Sequence, residues 1–416
     1  MNDYLLPKPP LPEPLSGSDI SSFAHTTITK RFAKIALETI QDNEFPIEID
    51  QQLERLIQEI PFKPLRGLND TDAPDTDTWQ LNLQPFLGKN WLEVPWFVAE
   101  MYFYRRILEA IGYHQPGPCQ GYDPFHQQKK RVLESASSST VNLAALLEKS
   151  ISESQSGSTD WQTNLQQLLV LNVWGNQADL SMWSASEKRP DHKASGDQLS
   201  HLLVNDAGQV AEFFSSGAGQ LQQVDFVLDN YGPELIHDIG LADFLLAMNM
   251  VGTVRFHAKP APHYVSDAMI VDVHSTLDYL ANHPGLAVQE IAQRVNSYIQ
   301  DRRFEIVDDY FWTSPTYFWD MPRYIRDELR TSDLVISKGD ANYRRLAGDL
   351  NWSPTTPFQD VMRYFPTSLL ALRVLKAELV LGLSPSQVSQ LDHQDPDWRV
   401  NGQWALIQLR QQEHQD

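Results

Sequence analysis

Val224-Asp225-Phe226-Val227-Leu228-Asp229-Asn230-Tyr231-Gly232-Pro233-Glu234 is the stretch on which the fold turns. Its first five residues make a short, mostly apolar run of strand length. The run stops at Asp229-Asn230, and Pro233 stands where a first helical turn accepts proline. Beyond it Leu235, Ile236, Ile239, Ala242, Leu245 and Leu246 recur at helical spacing, which predicts strand, polar turn and helix in succession.

Working outward, Thr253–His257 predicts a second strand, followed by His257-Ala258-Lys259-Pro260-Ala261-Pro262-His263-Tyr264-Val265-Ser266-Asp267. In an open α/β sheet, ligands bind beyond the carboxyl ends of the strands, where Asp229, Asn230 and Asp267 would meet. Two carboxylates and an amide oxygen form a hard, all-oxygen set that suits Mg²⁺ or Mn²⁺ better than zinc. Asp and Asn at strand ends also serve as turn formers and helix caps, and the three residues by themselves leave that reading open.

The same logic recurs downstream. Asp333–Ser337 is an apolar strand that delivers Lys338-Gly339-Asp340 to the same edge, with Ala341–Leu350 continuing as a helix. Backbone amides at such a helix start can hold a phosphoryl group, with Lys338, Arg344 or Arg345 adding charge; the alternative is that Arg344 and Arg345 are solvated helix residues. Leu369–Leu375 brings Lys376 to this edge. His201–Val204, Arg303–Val307 and Trp404–Leu409 supply further strands, while Thr276–His283, Leu286–Gln300 and Arg323–Leu329 supply helices. Phe311-Trp312-Thr313-Ser314-Pro315 reads as an aromatic loop. The expected fold is therefore α/β, a mostly parallel, Rossmann-like sheet with helices on both faces over 191–416.

Residues 1–190 predict an N-terminal all-helical domain. A proline-rich start gives way to helices over Ser18–Asn43, Leu53–Ile60, Trp91–Gly112, Thr140–Ile151 and Trp161–Val173. The helix Trp91–Gly112 is apolar almost all round, which implies burial; Glu100 and Arg105 within it read as a buried ion pair that orients helices. Asn69-Asp70-Thr71-Asp72-Ala73-Pro74-Asp75-Thr76-Asp77 reads as a solvated acidic loop, because it lacks the Gly and terminal Glu of a calcium loop. Ser152–Asp160 is a Ser/Gly-rich connector, and Asn176 and Asp179 are placed to cap whatever follows Gly175. Residues 184–200 read as a loop.

Composition narrows the function. The chain has 416 residues, 33 Lys and Arg against 54 Asp and Glu, and a net charge of −21, which argues against a nucleic-acid partner. A small anionic substrate stays compatible wherever a few cations and a metal converge. The single cysteine, Cys119, excludes an internal disulfide and fits a reducing, cytoplasmic setting. The start shows no secretory pattern, and no apolar run approaches the ~20 residues of a membrane helix. Composition does not set the oligomeric state.

Asp229-Asn230-x-Gly232-x-Glu234 after a strand, with Val265-Ser266-Asp267 ending 38 positions past Asp229, resembles the damage-control phosphatase family. That metal-dependent family was long catalogued as a numbered domain of unknown function. The match is to the branch of acidic-residue methyltransferase-like sugar-phosphate phosphatases. Phe311-Trp312-Thr313, Lys338-Gly339-Asp340-Ala341-Asn342-Tyr343-Arg344-Arg345 and Leu372-Arg373-Val374-Leu375-Lys376-Ala377 resemble further blocks of it. So do Glu100, Tyr104 and Arg105, Asp123-Pro124-Phe125 with Lys129, and Trp174-Gly175-Asn176 with Asp179-Leu180-Ser181. Ala341 and Val374 stand where relatives often carry Leu and Thr, and neither change removes a charge.

The resemblance implies a metal-dependent phosphatase of small phosphorylated metabolites, sugar phosphates such as fructose or other hexose phosphates among them. Asp229, Asn230 and Asp267 would be the metal-binding and catalytic residues, with Mn²⁺ or another divalent ion (Mg²⁺, Co²⁺, Ni²⁺). Glu234, Lys338, Asp340, Asn342, Arg344 and Lys376 would contact substrate. Either Asp229 attacks phosphorus or a metal-activated water does.

Three other readings compete. A haloacid-dehalogenase-type phosphatase needs a second Asp where this chain has Tyr231. An S-adenosylmethionine-dependent methyltransferase acting on protein carboxylates meets no Gly-x-Gly turn after Leu228. A non-catalytic binding protein on the same fold predicts no turnover.

Overall fold

The computed structural model describes residues 6–8, 10–134, 136–155, 161–175, 199–216 and 220–412. Seven strands form one sheet: β1 (Leu202–Asn205), β2 (Leu221–Val227), β3 (Val251–Ala258), β4 (Phe304–Asp308), β5 (Leu334–Lys338), β6 (Ser368–Val374) and β7 (Ala405–Arg410). Their order is β1-β7-β6-β5-β2-β3-β4. Neighbours from β4 to β6 are parallel, β7 is antiparallel to β6, and β1 is parallel to β7. The mostly parallel sheet expected from the strand–helix alternation is present.

Two-residue alternation sends successive side chains to opposite faces. Val224, Phe226, Leu334 and Ile336 join one apolar layer, and Val227 and Val335 join the other. The first layer is covered by the helices Ser137–Gln155, Trp161–Trp174, Pro233–Ala247 and Leu286–Gln300. The second is covered by Trp96–Ile111, Gly339–Leu346 and the N-terminal helical segments. Helices from the first 190 residues thus lie in both layers.

β2 has β3 on one side and β5 on the other. The chain leaves β2 and β5 toward different layers, so a crevice opens at the carboxyl edge beyond these two strands. That is the switch point at which doubly wound sheets bind ligands.

The N-terminal segment is stitched across the second layer. Leu15 donates its N–H to Asp349 O at 2.9 Å, and Trp96 donates to Leu15 O at 2.8 Å. Further on, Phe23–Thr26 is α-helical, Thr27–Arg31 widens to a π turn, and Phe32–Gln41 resumes the α-helix.

Several expectations are corrected. The helix expected from Trp91 begins at Trp96, after Pro95, and ends against Gly112, whose φ of 73° supplies the left-handed stop. The acidic segment is not a solvated loop: Asp70 and Asp75 are buried and flank Arg105 at 2.8 and 2.7 Å. Arg105 consequently does not pair with Glu100.

Thr276–His283 is part of a longer helix, Ile270–Ala281, and the helix expected over Ala341–Leu350 spans Gly339–Leu346. Helices over His126–Glu134, Ala207–Ser216 and Pro385–Gln394 went unread. Asn176, Asp179, most of the loop at 184–200 and part of the 152–160 connector lie outside the described residues. Among the described residues no helix is long and apolar enough to cross a membrane.

Candidate metal centre and substrate cleft

β2 ends at Val227, two residues before Asp229, and its apolar side chains fix where that carboxylate emerges. Asp267 reaches it from the far side of a tight turn. Asn230 and Asp267 form an isolated antiparallel bridge, Ala268 donates its N–H to Asp229 O at 2.8 Å, and Tyr231 donates to Ser266 O at 2.7 Å. The turn holds Tyr264 and Val265 at φ 44° and 67°. A β-branched residue in that region is strained, and such strain persists only where surrounding contacts impose it.

Asp229, Asn230 and Asp267 are all buried. Asn230 Nδ2 donates to Asp229 Oδ2 at 2.8 Å and to Glu234 Oε2 at 3.2 Å, while its Oδ1 accepts from Ser266 Oγ at 2.5 Å. Neither oxygen of Asp267 has a hydrogen-bond partner among the described residues; Lys259 Nζ approaches only to 3.4 Å. Burial pushes the Asp267 carboxyl up to about 6. Burial, then the charges of Glu234 and Asp267, raises Asp229 well above the carboxylate range.

Two buried carboxylates so placed, offset at close range only by the Lys259 ammonium 3.4 Å from Asp267, favour a further cation. Among the described residues no three His, Cys, Asp or Glu side chains converge on one point, so the donor set is two carboxylates plus the Asn230 amide. These are hard oxygens of the kind Mn²⁺ and Mg²⁺ take. In this orientation the amide presents nitrogen to Asp229, and holding a cation requires it turned over.

Gly339 completes the cradle. At φ 83° it passes so close that a Cβ there would lie 1.8 Å from Asp229 Oδ2.

An open cleft of about 510 Å³ is lined by Asp229, Asn230, Asp267, Asp340, Arg344 and Lys376 together with Phe23, Arg31, Trp96, Glu100, Tyr264 and Ala341. A narrower recess on the other side of Asp229 is lined by Glu234, Lys338, Gly339, Asp340 and Lys376, with Val173, Leu372 and Val374. Asp340 Oδ1 accepts from Arg373 Nε at 2.8 Å and from the Lys376 N–H at 3.0 Å. Arg373, which the sequence did not single out, also donates to Leu379 O and Ala377 O. It thereby shapes the loop that carries Lys376.

Other expected substrate residues are engaged by the protein. Lys338 is buried against Asp238 at 3.2 Å, with Glu234 at 3.8 Å and the Asn172 carbonyls as further partners. The Asn342 amide is taken up by Leu228 O at 3.1 Å and Lys338 O at 2.9 Å, which ties the ends of β2 and β5 together. Arg344 pairs with Glu100 at 2.6 Å and Asp349 at 2.8 Å and lies 3.5 Å over the Trp96 ring. Arg345 is not solvated: it is buried and donates to the carbonyls of Phe311, Trp312 and Thr316.

Glu100, read from the sequence as one half of a helix-orienting ion pair, and Tyr264, to which sequence reasoning assigned no role, both line the cleft. A carboxylate inside a helix apolar on every side was the available signal.

A crevice at the sheet's switch point, lined by Asp229, Asn230, Asp267 and Lys376, is where this α/β fold offers a ligand site. The chain belongs to the damage-control phosphatase ARMT1-like family, whose domain model matches residues 27–391. It is accordingly a phosphatase.

The relatives named Damage-control phosphatase ARMT1 include those of Danio rerio (32% identical, covering 96% of this chain and 97% of that protein) and Xenopus tropicalis (33%, covering 95% and 98%). That of Homo sapiens is 30% identical, covering 96% and 98%. Among solved structures, a DUF89 family protein from Pyrococcus horikoshii aligns over 92% of this chain and 96% of its own, with TM-score 0.47 and 12% identity.

Proposed function

We propose that this protein is a divalent-metal-dependent phosphatase of small phosphomonoesters, with hexose phosphates such as fructose phosphates as substrates. The observation that carries the reading is the buried Asp267 carboxylate, without a hydrogen-bond partner among the described residues and facing Asp229 in the cleft. Asp229, Asp267 and Asn230 would hold the ion, Mn²⁺ or alternatively Mg²⁺, Co²⁺ or Ni²⁺. Once bound, it supplies charge neutralisation on the phosphate oxygens during transfer.

This chain's own groups do the rest. Lys376, on a loop fixed through Asp340 and Arg373, places a cation against the phosphoryl oxygens. Asp340, which lines both spaces, orients the ester oxygen or an adjacent hydroxyl. Glu234 and Asn342 hold the neighbouring groups in register rather than touching substrate. Lys338 stays with Asp238 behind the recess.

The test is phosphate release from a panel of hexose and pentose phosphates by metal-stripped protein, resupplied with each ion in turn. Metal-dependent release that disappears in Asp267→Ala is expected. Release that proceeds equally without metal, or survives the substitution, would overturn the assignment.

A further inference from the structure

The cleft continues past the metal-binding carboxylates to a second, differently built wall. Its centre is Glu100, on the helix Trp96–Ile111, which lines the open cleft although its side chain is only 5% exposed. Arg344 Nη1 donates to Glu100 Oε2 at 2.6 Å, and Tyr264 O–H donates to the same oxygen at 3.0 Å. Among the described residues both contacts fall on Oε2, which leaves Oε1 to the cleft.

Each support is itself fixed. Arg344 is locked by Asp349 through two further bonds of 2.8 and 2.9 Å, and Tyr264 sits in the strained turn that ends at Asp267. Phe23 and Trp96 pack edge to face beside it, with ring centroids 5.9 Å apart.

We propose that Glu100 is a specificity-determining residue: its free carboxylate oxygen accepts hydrogen bonds from hydroxyl groups on the part of the substrate that remains after phosphate leaves. The proposal rests on the phosphatase reading and deepens it. Around Glu100 the Arg344 donors are already engaged, which leaves Glu100 to act as an acceptor, while Asp340 stands beside Lys376 and accepts its N–H. A preorganised acceptor selects a ligand rich in O–H donors and rejects one that leaves it unmatched. The phosphoryl group and the polyhydroxylated group are thereby read by different residues, Lys376 and Glu100.

The experiment compares kcat/KM for a hexose phosphate, ethyl phosphate and ethanolamine phosphate, using the full chain with metal. Glu100→Gln should lower the hexose-to-ethyl ratio by roughly 10- to 100-fold, the range expected for a charge-assisted hydrogen bond. Tyr264→Phe, which removes one support of the carboxylate, should move the ratio the same way by less, and it provides the test if Glu100→Gln does not fold.

Equal losses on both substrates, or an unchanged ratio, would show a structural role and overturn the proposal. So would a wild-type preference for ethanolamine phosphate, whose ammonium would then be the group that Glu100 reads. If the wild-type protein hydrolyses none of the three, the phosphatase reading itself fails. Turnover of all three with an unmoved ratio removes the Glu100 role alone.

Discussion

Gly339 and Asp229 approach so closely that no side chain fits between them: a Cβ on Gly339 would lie 1.8 Å from one carboxylate oxygen of Asp229 and 2.3 Å from its carboxyl carbon. The approach joins the ends of two adjacent parallel strands and sets the direction of the carboxylate. Gly339→Ala must displace Asp229 and also adopt a backbone angle costly to alanine, about 1 kcal/mol by itself. Loss of metal-dependent turnover by at least roughly 100-fold is expected, since a misplacement of about 1 Å has that effect. Steady-state kinetics with a circular-dichroism melt checks it, and near-normal kcat would refute the close approach.

Asp267 makes the metal-free protein less stable than it could be. Its buried charge has no hydrogen-bond partner among the described residues and faces Asp229. Asp267→Asn should therefore raise the Tm of the metal-stripped protein by a few degrees, on the order of 1 kcal/mol, while removing the stabilisation that added Mn²⁺ confers. Differential scanning calorimetry with and without the ion measures both. A lower Tm in the metal-free variant would contradict the electrostatic account.

Two buried histidines make the fold sensitive to acid. Burial lowers His237 from 6.5 to about 4 and His114 likewise to about 4. Both stay neutral in the folded chain at pH values where the unfolded chain takes up protons. Their contribution is full above 6.5 and declines as pH falls toward 4, where the folded form protonates as well. Each group adds a slope of up to ~1.4 kcal/mol per pH unit inside that window. The raised Asp229, Asp238 and Asp267 act with the opposite sign over the same range, so the test is a difference: His237→Gln should raise the urea midpoint at pH 4.5 relative to that at pH 7, compared with the same ratio in the wild type, and an unchanged ratio would exclude His237 as a source.

Arg105 neutralises two buried carboxylates, Asp70 and Asp75. Arg105→Ala strands both and should cost ~3–5 kcal/mol, the usual result of removing one partner from a buried pair. The triple replacement Arg105→Met, Asp70→Asn, Asp75→Asn should recover most of that loss. Denaturant midpoints decide it, and a single variant as stable as wild type would show the cluster to be inert.

The parts of the site readable in the sequence were those set by local order. Short apolar strands that stop at Asp229-Asn230 and at Lys338-Gly339-Asp340 deliver charged residues to one edge, because parallel strands share a direction. What stayed hidden depends on partners far along the chain. Glu100 meets Arg344 from 244 positions away, and Arg105 draws Asp70 and Asp75 out of water although the stretch around them reads as solvated.

The same limit explains Lys338 and Asn342. Residue type and position at the strand end were right for a ligand contact, but Asp238, Asn172 and the Leu228 carbonyl had already claimed those groups. The helix Pro385–Gln394 was missed because it carries only Val388 and Leu391 as large apolar residues; Ala207–Ser216 was missed because it is short, although half of its residues are apolar.

Leu15, stitched between Asp349 and Trp96, also orders events in time. A ribosome releases it 334 positions before Asp349, so Leu15 must wait for Asp349 before this bridge across the second layer can form. A nascent or C-terminally truncated chain lacks the strap's anchor, even where the strand that leads to Asp229 has already emerged. The half of the pocket that would tell one phosphate ester from another therefore waits for Asp349, and the half that carries Lys376 for a stretch made later still.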